Sequence, residues 1–90
     1  MDVDTVYQWD EAKAAGNLAK HGVGFEAVFG FDWSSAIITS DSRSDYGEDR
    51  FEAVGFIDDR LFVLIFTLRG SAVRVISLRK ANKRERNDYA

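Results

Sequence analysis

Apolar residues recur along this chain with two different periods, and the periods predict the order of elements. Tyr7-Gln8-Trp9 reads as a short strand, and Asp10 suits a helix N-cap because its carboxylate can accept from the free amides of a first turn. The helix predicted over 11–21 has Glu11 at its positive start and Lys20 and His21 at its negative end, with Gly22 to close it in the left-handed conformation. Trp9 and Ala14 are spaced for a hydrophobic staple, whereas Lys13 stands where a capping box needs Glu or Gln. Phe25, Val28 and Phe29 fall at i, i+3 and i+4, the apolar face of a second, short helix. Residues 32–35 read as a connector and 36–39 as β-prone. Residues 40–49, rich in Ser, Asp and Gly, read as a long loop or hairpin turn.

Three strands are predicted next, over 51–57, 61–68 and 73–78, separated by the turn-like Asp58-Asp59-Arg60 and Arg69-Gly70-Ser71-Ala72. Leu61 to Phe66 shows no polar alternation, which predicts a central strand covered on both faces. A two-residue turn at Gly70-Ser71 would set Arg69 opposite Ala72, Thr67 opposite Arg74 and Ile65 opposite Ile76. Residues 80–89 are polar helix formers whose one strong apolar residue is Tyr89. The predicted class is α+β: a short N-terminal strand, two helices, an antiparallel sheet of about four further strands and a C-terminal helix. Its helices would pack on one face and leave the other partly open.

Composition narrows the picture. With 90 residues, 46% hydrophobic and 30% charged, the chain is expected to fold as one domain over 1–90. It has no cysteine and a single histidine, so disulfides, thiolate metal sites and thiol nucleophiles are excluded and no metal is expected. No Walker loop, dinucleotide fingerprint or nucleophile elbow occurs, so no cofactor is expected either. The acidic start and the apolar stretch of 61–68, far short of the roughly 20 residues that span a bilayer, predict a cytoplasmic protein without membrane association.

Charge is unevenly placed. Residues 1–59 carry 4 Lys/Arg against 13 Asp/Glu, and residues 60–90 carry 8 against 2, so a body of net −9 bears a C-terminal third of +6. Such a gathering suits phosphate or an acidic partner; alternatively the two halves neutralise each other. On the predicted hairpin Arg69 and Arg74 are diagonal neighbours beside Thr67, a fork for an anion or a pair for Glu48 or Asp49. Arg79, Lys83 and Arg86 would line one stripe of a terminal helix, with Arg79 at its junction able to reach the pocket of Arg69. His21, with Lys20, suits either acid–base work or C-capping, and the helix end should favour its charged form. Glu48 suits a general base or an ion pair with Arg50. Trp9, Phe25, Phe29, Phe62 and Phe66 are assigned to the core.

Taken in order, Trp9-Asp10-Glu11 with Lys13 and Asn17, Lys20-His21-Gly22-Val23 with Phe25, and Gly47-Glu48-Asp49-Arg50 resemble the BrnT family of toxins. Thr67 with Arg69-Gly70, Arg74-Val75-Ile76-Ser77 with Arg79-Lys80-Ala81, and Glu85-Arg86 with Tyr89 continue the resemblance almost to the C-terminus. Gly24 departs from it where Ser or Thr often caps, and Leu78 where Ala is frequent. The resemblance implies a RelE-like fold and a ribonuclease that arrests translation. It also implies a BrnA antitoxin, bound as two toxins with two antitoxins, through which alone operator DNA would be reached. The residues suit metal-independent cleavage by the RNA 2′-hydroxyl. Arg69 and Arg79 would hold the phosphate, His21 or Glu48 would supply acid–base help, and Arg74, Lys83, Arg86, Arg50 and Lys20 would bind further RNA phosphates. The alternative is a non-catalytic module whose basic third binds nucleic acid or an acidic protein.

Overall fold

A computed structural model describes residues 5–40 and 49–90. Strand β1 (Tyr7–Gln8) leads into helix α1 (Glu11–His21), whose start is fixed by Asp10: its carboxylate accepts from Lys13 N–H at 3.0 Å. Its end is Gly22 at φ 71°, which donates to the Leu18 carbonyl, as the sequence predicts. The second predicted helix is a 3₁₀ helix, Phe25–Gly30, without a side-chain cap at Gly24. Three residues per turn bring Phe25 and Val28 into the core and turn Phe29 outward, 68% exposed, so the assignment of Phe29 to the core fails. Its ring still meets Tyr7 edge-on at 5.3 Å. The connector at 32–35 forms a 3₁₀ turn, Trp33–Ser35, capped by the Asp32 carboxylate.

Strands β2 (Ile37–Ser40), β3 (Phe51–Ile57), β4 (Arg60–Arg69) and β5 (Ala72–Lys80) pair antiparallel, and β1 adds to β5 in parallel, giving the order β1-β5-β4-β3-β2. β4 is central and covered on both faces, as its unbroken apolar run predicts. The predicted loop over 40–49 falls largely outside the described residues.

On one face Phe62, Leu64 and Phe66 of β4 pack with Val73, Val75 and Leu78 of β5 beneath Val23, Phe25, Val28 and Phe31. On the other face Leu61, Val63 and Ala81 pack with Val54, Phe56, Ile65 and Tyr89. The last of these belongs to helix α2 (Lys83–Tyr89), so the expectation that all helices share one face is corrected. Tyr89 anchors α2 on the second face, its ring edge-on to Phe56 and its hydroxyl donating to the Ser35 carbonyl at 2.6 Å.

The hairpin at Gly70-Ser71 pairs Arg69 with Ala72 and Thr67 with Arg74, as predicted, with Gly70 at φ 60°. Farther on the pairing differs: Phe66 faces Val75 but Ile65 faces Ser77, leaving Ile76 as the extra residue of a β-bulge, so the expected Ile65–Ile76 pair is absent. Side-chain alternation alone would put Arg74 and Arg79, five residues apart, on opposite faces. The bulge restores them to one face, opposite Thr67 and Val63.

Beyond β1 the outer edge of β5 is closed by a side chain. The amide of Asn17, buried on α1, donates to the Leu78 carbonyl at 2.7 Å and accepts from Leu78 N–H at 3.2 Å, while also donating to the Val23 carbonyl at 2.9 Å. No helix among the described residues is long and apolar enough to cross a membrane.

Two substitutions test this packing. Asn17→Ala strands the Leu78 backbone groups and should lower the unfolding free energy by about 2–3 kcal/mol. Gly55→Ala would push a methyl to 2.7 Å from the Phe31 ring inside β3, with an expected loss of about 1–3 kcal/mol. Urea unfolding measures both.

Candidate functional site

The β4–β5 part of the second face carries three of the predicted arginines. From the hairpin toward α2 it presents Arg69 and Arg74, then Ile65 with Ser77, then Arg79. Arg69 is exposed; Arg74 is half-buried. Arg69 stands opposite Ala72 and Arg79 opposite Val63, six positions apart along β4 and so separated by roughly 20 Å. Arginine side chains do not close that gap onto one phosphate. The expectation that Arg79 reaches the pocket of Arg69 is therefore corrected: the two lie at opposite ends of one cationic track, with Arg74 between them.

Arg79 is held by an unforeseen partner. Its Nη1 and Nη2 each donate to a Glu85 carboxylate oxygen at 2.8 Å, the planar fork-to-fork geometry of a strong guanidinium–carboxylate pair. Nη1 also reaches the Lys80 carbonyl at 3.4 Å. Glu85 is itself fixed by a capping box: Asn82 N–H donates to its Oε1 at 2.9 Å, and Glu85 N–H donates to Asn82 Oδ1 at 2.8 Å. The Arg79 hydrogen bonds lead in holding the Glu85 carboxyl at about 2, well below the ordinary glutamate value, against a smaller opposing effect of burial. Glu85 in turn raises the pKa of Arg79, helped by the more distant Glu52 charge. Glu85 entered the sequence reading only within the Glu85-Arg86 motif and neither acid was given a role, although Asn82 followed three residues later by Glu85 is the spacing of a capping box and was a legible signal.

His21 ends α1, where it senses the charge of Arg79. Burial first, then the positive charges of Lys20 and Arg79, lower its pKa. The expectation that the helix end would favour imidazolium is thus reversed, and neutral His21 is available to accept a proton at neutral pH. Lys20 is exposed beside it.

The remaining predicted cations are dispersed. Arg79 belongs to β5 and not to the terminal helix, so its predicted stripe with Lys83 and Arg86 does not form. Arg86 turns back to donate to the Ala81 carbonyl at 3.1 Å, and Lys83 is exposed in the first turn of α2. Arg50 is half-buried just ahead of β3, near where Thr67 donates its hydroxyl to the Asp49 carbonyl. Glu48 lies outside the described residues. A cleft of about 200 Å³ between α2 and β2–β3 is lined by Ile37, Glu52, Val54, Glu85, Asp88 and Tyr89, a wall of the wrong sign for phosphate. Among the described residues no three His, Asp or Glu side chains converge as a metal site would require.

The Arg79–Glu85 pair has a measurable pH signature. Because the folded-state pKa of Glu85 is depressed, its contribution is fully present above the ordinary glutamate value and is lost as pH falls through about 2. Wild type should exceed Glu85→Gln by about 1–2 kcal/mol at pH 7. That margin should shrink in urea unfolding between pH 6 and 2.5, and a margin independent of pH would exclude the pair.

Comparison with known proteins agrees with this fold and with the arrangement of its motifs. Residues 9–85 match the family model described as the ribonuclease toxin, BrnT, of type II toxin–antitoxin systems. The 1.1 Å crystal structure of the Brucella abortus ribonuclease toxin, BrnT, is similar to this chain with a TM-score of 0.71 and 35% sequence identity, covering 88% of this chain and 100% of that one. No curated protein sequence matches. The chain belongs to the BrnT family of ribonuclease toxins of type II toxin–antitoxin systems.

Proposed function

We propose that this toxin is an endoribonuclease that cuts RNA without a metal ion, using the substrate's own 2′-hydroxyl as nucleophile. His21 takes the proton from that hydroxyl, the oxygen attacks the adjacent phosphorus, and Arg79 stabilises the charge that gathers on the equatorial oxygens. The 5′-oxygen then leaves, taking a proton from solvent water while His21 returns its own to solvent, so the products are a 2′,3′-cyclic phosphate and a free 5′-hydroxyl. Arg74 and Arg69 follow along the same face and hold phosphates farther down the strand, with Lys20 and Arg50 as outer contacts. Glu48 is the second candidate for acid–base work.

The observation that supports this reading is the Arg79 guanidinium, ordered by Glu85 on the second face of the sheet, whose charge is felt by His21 at the end of α1. A base and an anion holder are what transesterification needs from a protein. Cleavage of RNA in the cytoplasm would arrest translation. A type II toxin implies an antitoxin; we assign it to the BrnA type, bound two to two, with operator DNA contacted only through that partner.

Incubation of the purified chain with a defined RNA in EDTA tests the reading. Cyclic-phosphate ends are expected, with loss of cleavage by at least a hundredfold in Arg79→Ala and complete loss at a position carrying a single 2′-deoxy substitution. Binding without turnover, unaffected by the 2′-deoxy change, would instead establish a non-catalytic module. If naked RNA stays intact, the same assay with translating ribosomes decides.

A further inference from the structure

A guanidinium has two planar forks: an end-on fork of Nη1 and Nη2, and a side-on fork of Nε and the remaining Nη2 proton. Glu85 occupies the end-on fork of Arg79 with two bonds of 2.8 Å, and Lys80 takes a further Nη1 proton at 3.4 Å. The side-on fork makes no hydrogen bond to any described residue. Resting on the function proposed above, we infer that Glu85 is a positioning residue: by taking the end-on fork it holds Arg79 with its side-on fork ready for the RNA phosphate.

Three features support this assignment. The Glu85 carboxylate is held, because the same Oε1 that meets Arg79 also accepts from the Asn82 backbone N–H. The backbone that carries Arg79 is fixed as well, since Arg79 follows Leu78 in β5 and the Leu78 backbone is clamped by Asn17. A long, flexible side chain ordered before substrate arrives does not spend its rotamer entropy at the moment of binding. The two forks of one guanidinium can hold two anions in one plane, so phosphate need not displace the carboxylate.

Glu85→Gln separates this role from helix capping. Glutamine at the third helical position still accepts from Asn82 N–H, but its amide presents donors where the guanidinium needs an acceptor. Asn82→Ala does the reverse, weakening the cap while leaving the carboxylate in place. The experiment is single-turnover RNA cleavage over a range of protein concentrations, in EDTA, with translating ribosomes added if naked RNA is intact, for wild type, Glu85→Gln, Asn82→Ala, Arg79→Ala and the Arg79→Ala/Glu85→Gln double variant.

We expect Glu85→Gln to lower the saturating rate constant by about ten- to a hundredfold with half-saturation changed no more than a few-fold. Asn82→Ala should lose thermal stability but keep the wild-type rate, and the double variant should be no slower than Arg79→Ala alone. Wild-type or faster cleavage by Glu85→Gln, with Arg79→Ala inactive, overturns the positioning role and leaves the site intact. Parallel rate losses in Glu85→Gln and Asn82→Ala, in proportion to lost stability, overturn it in favour of a purely structural contact. Undiminished cleavage by Arg79→Ala, or none by wild type in either assay, overturns the proposed function and this inference with it.

Discussion

Leu78 directs a backbone N–H and a carbonyl toward a sheet edge where β1 has already ended, and the side-chain amide of Asn17 takes both. Buried peptide groups left unpaired cost on the order of 1–3 kcal/mol each, so this contact does more than join two elements. It sets the distance between α1 and β5 on which the site depends. His21 lies one helical turn beyond Asn17, and Arg79 follows Leu78 in the strand. A single amide thereby brings the imidazole and the guanidinium into each other's electrostatic field.

The second constraint is the bulge at Ile76. It lets Val73, Val75 and Leu78 all face the main core while Arg74, Ser77 and Arg79 face the other way. Without the extra residue, keeping Val73 and Val75 inside would drive Arg79 toward the core as well. The irregularity in pairing is thus what allows one strand to serve both as a wall of the core and as a carrier of cations. α2 then lies on the same second face, and its first turn supplies the carboxylate that orders Arg79.

Local chemistry made much of this legible in the sequence. Asp10 and Gly22 mark the ends of α1 through capping groups that act within a few residues, and Gly70-Ser71 fixes the hairpin register because a two-residue turn admits one. The unbroken apolar run marked β4 as central for an equally direct reason: both its faces are buried. What escaped depends on long-range packing. A bulge leaves the composition of β5 unchanged, and the 3₁₀ winding of residues 25–30 differs from an α-helix only in which aromatic it exposes. The cationic stripe assumed that residues 80–89 form a continuous helix, whereas pairing with Phe62 keeps Lys80 in the strand. Arg79 and His21 were found as residue types, but their proximity arises from contacts between α1 and β5, some 60 positions apart in sequence, which no short window contains.

In the proposed reaction Arg79, held end-on by Glu85, receives the scissile phosphate on its side-on fork while His21 accepts the 2′-hydroxyl proton. A crystal structure of the chain bound to a short RNA with a single 2′-deoxy nucleotide at the cleavage position tests it most directly. The expected result is a phosphate oxygen within hydrogen-bond distance of both Nε and Nη2 of Arg79, with Glu85 still on Nη1 and Nη2. A scissile phosphate held at Arg69 and Arg74, with Arg79 untouched or Glu85 expelled, would contradict it.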